Sequence, residues 1–306
     1  MIFKISKDIE FSRFYKKMNL LSFILIFLSI LVLIFKGLNF GVDFKGGTLI
    51  EVRTETSNIN ISQIRQSLLK MELGDVTVKK FGKEKDYLIK IEKTKTNDSN
   101  FIKSINDQLT SDLGSMVNFR RVENVGPKVS SELLNAGLLA ISLSLAAMLI
   151  YIWIRFEWQF SLGAILALIH DVVITVGIFS FLSYEVNLSI VAAVLTIVGY
   201  SMNDTVVIFD RIRENLRKYS KISISEISNI STNETLSRTL ITSVTTLLAL
   251  FSIYIFGGAI LKGFSFAMIV GVIVGTYSSI FVATPVLNYT KVSQKTILKK
   301  DENLKS

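Results

Sequence analysis

Ionisable residues stand inside otherwise apolar stretches at four positions, where each charge costs a few kcal/mol and needs a reason. Asp171 follows His170 in LIHDVVITVGIF. Asp204 lies in Gly199-Tyr200-Ser201-Met202-Asn203-Asp204-Thr205, and Arg238 lies in Leu236-Ser237-Arg238-Thr239-Leu240. The chemistry open to a carboxyl and a guanidinium is proton exchange. Low dielectric favours the neutral acid and a nearby arginine favours the carboxylate, so a site that gains and loses its arginine takes up and releases a proton. Tyr200 and Ser201 stand four and three residues before Asp204, on its helix face, and Asn203 and Thr205 flank it. Thr242, Ser243, Thr245 and Thr246 follow Arg238 with hydroxyls of their own.

Other chemistries fall away by composition. There are no cysteines, hence no disulfide, no thiolate zinc site and no cysteine nucleophile, and one histidine cannot build a multi-histidine metal site. GVDFKGGT lacks the G-x-x-x-x-G-K-[ST] spacing of a phosphate-binding loop. Asp171 and Asp204 on adjacent helices would suit a carboxylate dyad of an intramembrane protease, but the G-x-G-D motif of that class is absent at both.

The residues must be held by membrane helices. Half of the 306 residues are apolar, and the mean hydropathy of +0.47 is too high for a soluble globular chain. A span needs roughly 20 apolar residues to cross about 30 Å of hydrocarbon. Runs of that kind occupy 20–35, 133–154, 160–182, 188–209, 238–256 and 264–287, giving six expected spans. Asp204 then lies about five residues, roughly 8 Å, from the end of the fourth. Antiparallel packing of the fourth and fifth puts Asp204 and Arg238 in one leaflet, where the long arginine stem would let them pair. Gly271-x-x-x-Gly275 reads as close helix packing in the sixth.

The formal charge of +9 admits a nucleic-acid reading until its distribution is considered. Lys4, Lys7, Arg13, Lys16 and Lys17 precede the first span. Arg211, Arg213, Arg217, Lys218 and Lys221 follow the fourth, and Lys291, Lys295, Lys299, Lys300 and Lys305 follow the sixth, while Tyr184–Asn187 has no basic residue. The excess therefore marks cytoplasmic ends: an amphipathic segment 1–19, a loop 210–237 and a tail 288–306, with both termini inside and no nucleic acid implied. No small-x-small cleavage site follows the first span, so it is expected to be an uncleaved anchor.

The polar block 36–132 then faces outside. GTLIEVRT alternates as a strand, INISQIRQSLLKM carries Ile61, Ile64, Leu68 and Met71 at helical spacing, and DVTVKKFG and DYLIKIEKT form two strands turning near Lys83–Lys85. A helix at 99–113 presents Phe101, Ile105 and Leu109, and VNFRRVENV closes as a strand. Strand, helix, strand, strand, helix, strand is the ferredoxin-like order. The expected fold is thus a polytopic α-helical membrane protein of six spans with one α+β domain outside, a protein-contact module by its mixed charges.

Together GVDFKGGT, VGPKVSSEL, LIHDVVITVGIF, LTIVGYSMNDTVVIFDRIREN, LSRTLITSVTTLLAL and GGAILKGFSFAMIVGVIVGTYSSIFVATP resemble the SecF family of the bacterial protein-export machinery over nearly the whole chain. The resemblance implies one half of a resistance-nodulation-division architecture, with SecD supplying the other half. It further implies association with the SecYEG channel and indirectly with SecA and YajC, residence in the bacterial inner membrane, and use of the proton gradient, with no cofactor, to assist unfolded preproteins after the ATP-driven step. Such a chain is no enzyme. By motif position the proton-linked aspartate of the family falls on Asp204 and its membrane arginine on Arg238; Asp171, His170, Tyr200, Ser201, Asn203, Thr205 and Ser243 are supporting candidates. Ser130 departs from the glycine usual in the family. The competing reading is a proton-coupled small-molecule or lipid exporter of the same superfamily.

Overall fold

The structure is a computed structural model and describes residues 8–55, 59–80, 85–92, 99–219 and 221–297. In chain order a 3-10 turn (Phe11–Phe14) leads into α1 (Tyr15–Lys36), β1 (Asn39–Phe40), α2 (Val42–Lys45), β2 (Gly47–Thr54), α3 (Ile61–Leu69), β3 (Val76–Lys80), β4 (Asp86–Ile91), α4 (Ser99–Leu113) and β5 (Val117–Val125). There follow α5 (Pro127–Arg155), α6 (Trp158–Leu182), β6 (Glu185–Val186), α7 (Leu188–Lys218), α8 (Ile224–Phe256), α9 (Gly258–Ser278), a π-helical turn (Ser279–Ala283) and α10 (Thr284–Tyr289).

One compact unit comprises Asn39–Leu139 with Glu185–Leu188. Its sheet has the order β3-β4-β2-β5, every neighbouring pair antiparallel. Strand alternation turns Ile50, Val52, Val76, Val78, Tyr87, Ile89 and Ile91 to one side, where Ile64 and Leu68 of α3 and Ile105 and Leu109 of α4 meet them in a single core. An Asn60/Gln63 capping box starts α3. The turn expected at Lys83–Lys85 lies, but for Lys85, outside the described residues.

The sequence reading left two features of this unit unassigned. GVDFKGGT contains α2, and the 184–187 stretch, expected as a loop, contains β6, which pairs in parallel with β1. Asp43 Oδ2 accepts the Leu188 N–H at 2.9 Å, so a carboxylate from the motif caps the first turn of α7. Gly47 has φ +120, and a Cβ there would run into the Ile91 carbonyl. Ser130 is 3% exposed, and its hydroxyl donates to the Pro127 carbonyl at 3.0 Å in the first turn of α5.

The other unit comprises Met1–Leu38, Ala140–Tyr184 and Ser189–Ser306. Among the described residues six helices are long and apolar enough to cross a membrane: Phe11–Lys36, Pro127–Arg155, Trp158–Leu182, Leu188–Lys218, Ile224–Phe256 and Ile260–Tyr289. Small residues set their approach. Gly177 of α6 faces Ser29 of α1, while Gly271 and Gly275 of α9 face Ile197 and Ser201 of α7, the close packing read from G-x-x-x-G. Pro285 has no N–H to donate and its ring crowds the preceding turn, which accounts for the π-helical widening; the Thr284 hydroxyl donates to the Ser279 carbonyl at 2.8 Å.

Several expected boundaries move. Among the described residues of the 210–237 loop all but 219 and 221–223 are helical, because α7 and α8 continue as amphipathic extensions that bury Ile212, Leu216 and Ile227. Apolar-run scanning stops where charges begin and cannot see such extensions. The described part of the amphipathic 1–19 segment packs on protein: Phe11 and Tyr15 are buried, and their rings meet Phe281 at 6.0 and 6.4 Å. Asn233 exchanges two 2.9 Å hydrogen bonds with the Ile9 backbone, and Asn229 makes two more, also at 2.9 Å, with Ser12. Residues 1–7 and 298–306, with Ile2, Phe3, Ile5, Lys4, Lys7, Lys299, Lys300 and Lys305, lie outside the described residues.

Candidate functional site

Two polar layers cross the helix bundle. The first is centred on Asp171, 0% exposed at the middle of α6. Its Oδ1 lies 2.8 Å from His170 Nδ1, and its Oδ2 accepts from Ser201 of α7 at 2.5 Å and from Ser278 of α9 at 2.8 Å. Gly275 makes this possible, since a side chain there would occupy the space of Ser201. His170 stacks on Tyr277 with ring centroids 5.8 Å apart, and the Tyr277 hydroxyl reaches α1 at the Met18 carbonyl, 2.7 Å, and Ser22, 2.9 Å. Asp171 thus gathers three helices, and both of its oxygens are used.

The second layer is centred on Asp204 in α7, 3% exposed. Its Oδ2 is buried and has no hydrogen-bond partner. Thr276 of α9 and Arg238 of α8 are the neighbouring groups that act on the carboxyl. Thr276 in turn shares a 2.8 Å hydrogen bond with Ser243 of α8. The two layers touch through hydroxyls: Thr205, beside Asp204, bonds Ser279 at 2.8 Å and donates to the Ser201 carbonyl at 3.3 Å.

The expected partners of Asp204 are redistributed. Asp204 and Arg238 are not joined by an ion pair among the described residues; Arg238 is exposed on α8 while Asp204 faces inward. Ser201 serves Asp171 rather than Asp204, and Tyr200 reaches Thr246 at 3.4 Å. Asn203 is exposed. Helical spacing places i−3 and i−4 on one side of α7 but leaves open whether that side turns to α6 or α8. Sequence reading missed Thr276, Ser278 and Ser279. Their signal was a cluster of hydroxyls in an apolar span, beside the one G-x-x-x-G that was read.

A further buried pair went unread. Arg213, counted as a topological charge, meets Glu157 at 3.1 Å, with side chains 7% and 5% exposed, and lies over the Phe156 ring at 5.4 Å. It ties the start of α6 to the extension of α7. Among the described residues no group of three or more acidic or histidine ligands could hold a metal ion.

Comparison with known proteins places this geometry. Residues 105–293 match the family described as protein export membrane protein SecD/SecF, C-terminal, and residues 31–57 match the SecD/SecF GG motif. The chain is 45% identical over 283 residues to a protein translocase subunit SecF from Rickettsia bellii, covering 92% of each. It is 46% identical over 287 residues to one from Vibrio alginolyticus, covering 92% of this chain and 90% of that one. The crystal structure of SecDF, a translocon-associated membrane protein from Thermus thermophilus, superposes with a TM-score of 0.85 at 33% identity over 95% of this chain. A SecDF structure in a super-membrane-facing form gives 0.71 at 32%. This chain spans 40% and 41% of the length of those two chains.

Proposed function

The chain belongs to the SecD/SecF family of protein-export membrane proteins and is a multi-pass accessory subunit of the Sec translocase; from there we propose that it couples proton flow to the late stage of preprotein export. The observation that carries this reading is Asp204, buried in a membrane span with Oδ2 unpartnered. A carboxyl is a costly way to make a structural bond, and one with a free oxygen is poorly used as such. It is well used as a group that changes protonation as Arg238 approaches and withdraws. One proton crossing 100 mV delivers about 2.3 kcal/mol, enough to bias a domain movement.

Asn203 and Arg238 are exposed polar side chains on α7 and α8, with no hydrogen bond or ion pair among the described residues. Lipid cannot satisfy them, so this face is covered by the other half of the assembly, a SecD-like subunit. SecYEG then provides the channel, SecA acts before this step and YajC joins indirectly. The membrane is the bacterial inner membrane with both termini in the cytoplasm. The Asn39–Leu139 unit faces outside as a ferredoxin-like module, supported by its sheet order, and holds emerging polypeptide. The proton gradient is the energy source and no cofactor takes part. The names of the relatives favour protein over small molecules or lipids as cargo.

Export by membranes carrying variants at one position tests the reading. Asp204→Glu retains part of the gradient-dependent export, whereas Asp204→Asn assembles with its partner and loses it. Full export by Asp204→Asn removes the residue from the mechanism.

A further inference from the structure

Resting on the proton-coupled reading, we propose that His170 and Asp171 form a second proton-holding centre, in which imidazole Nε2 takes up and releases one proton while Asp171 remains ionised. Asp171 receives His170 Nδ1 at 2.8 Å on Oδ1, and Ser201 at 2.5 Å and Ser278 at 2.8 Å on Oδ2. Three such contacts satisfy an anion. Facing a carboxylate, Nδ1 carries the hydrogen, which leaves Nε2 as the bare, basic nitrogen. That nitrogen is buried and has no hydrogen-bond partner. A strut between helices needs only Nδ1 and the serines; a second nitrogen held bare inside the bundle is what a strut leaves unexplained.

The surroundings fit a site whose charge alternates. Ser201 of α7 and Ser278 of α9 bond Asp171 and the Tyr277 ring of α9 stacks on His170, with the Tyr277 hydroxyl already engaged by Ser22 of α1 and the Met18 carbonyl. Among the described residues no lysine or arginine bonds either partner. The nearest acid along α7 is Asp204, three residues beyond Ser201; its chain neighbour Thr205 donates to the Ser201 carbonyl and bonds Ser279. Protonation at Nε2 takes the pair from a net charge of −1 to neutral. The proton comes from the transmembrane flow that Asp204 serves and returns to it from the same atom.

The chain has a single histidine, so 15N-histidine confined to this chain and a histidine-free purification tag report on His170 alone. In the complex reconstituted in nanodiscs, the Nε2 resonance should stand at the position of an unprotonated nitrogen at alkaline pH. It should move to that of a protonated one on acidification over the pH range the complex withstands. A ring that keeps one protonation state, or the Nε2–H tautomer, across that range overturns the proposal. In export assays His170→Asn, whose amide can still donate to Asp171, should lower gradient-dependent export about tenfold or more and flatten its pH profile. Export and a pH profile unchanged in His170→Asn contradict it. If Asp204→Asn also exports normally, the proton-coupled reading itself has failed; if Asp204→Asn loses export while His170→Asn does not, only this second centre has.

Discussion

Asp171 and Asp204 are both aspartates in neighbouring spans, yet their surroundings differ. Asp171 has both oxygens engaged, by His170, Ser201 and Ser278, whereas Asp204 keeps a buried oxygen unpaired. Removing one donor from a satisfied buried carboxylate costs about 1–3 kcal/mol, so Ser201→Ala should lower the thermal stability of the detergent-solubilised chain; an unchanged melting temperature contradicts the arrangement. In the Asn39–Leu139 unit, hydrogen bonds from Lys70, then Gln108, hold the Asp112 carboxyl down at about 2, against an ordinary 3.8. A depressed carboxylate stabilises above its unfolded value and loses that contribution as pH falls through its folded one. Resistance of this unit to an acid-active protease should therefore decline between about pH 4 and about pH 2, and the decline should be shallower in Asp112→Asn. Equal slopes would refute the assignment. Asp204 and Arg238 stand out in the sequence because charges in apolar runs are conspicuous, while their expected pairing is not seen among the described residues. The role of Ser201 was not, since hydroxyls at i−3 from an acid carry no sign of which neighbouring helix they face.

Helix contact depends on the smallest residues. Gly275 lets Ser201 reach Asp171, and Gly271 accepts Ile197, so α7 and α9 meet without intervening side chains. Gly275→Leu should overpack this contact at a cost of about 1–3 kcal/mol, seen as a lower melting temperature together with loss of the Asp171 arrangement; a stable, fully active variant would contradict the packing account. The βαββαβ order and its boundaries were readable because both periodicities are clean: Ile50, Val52 and Ile89 alternate, and Ile64 and Leu68 recur at helical spacing. The 210–237 segment was misread as a loop because its helices are amphipathic and charged, with Ile212, Leu216 and Ile227 buried beneath arginines and glutamates. The β1–β6 pairing and the Asp43 cap on α7 escaped because each joins residues about 145 positions apart, as in Asp43 and Leu188. Nothing local announces such pairings.

At the scale of the molecule, the described residues hold six candidate spans and one folded α+β unit, and the proposal seats the SecD-like partner on the exposed polar face of α7 and α8. The chain is free of cysteine, so Asn203→Cys introduces one reactive group on that face. It should cross-link to the SecD-like partner in native membranes and resist labelling by a lipid-soluble maleimide; lipid labelling without cross-linking would place the partner elsewhere. Family membership followed from motifs spread along the whole chain, while the proposed coupling rests on one carboxyl. The most direct measurement is preprotein export by inverted membrane vesicles, wild type and Asp204→Asn, with the proton gradient intact and collapsed. Collapse should lower wild-type export to the Asp204→Asn level and leave Asp204→Asn unaffected. Export by Asp204→Asn that remains as high and as gradient-sensitive as wild type would contradict the account.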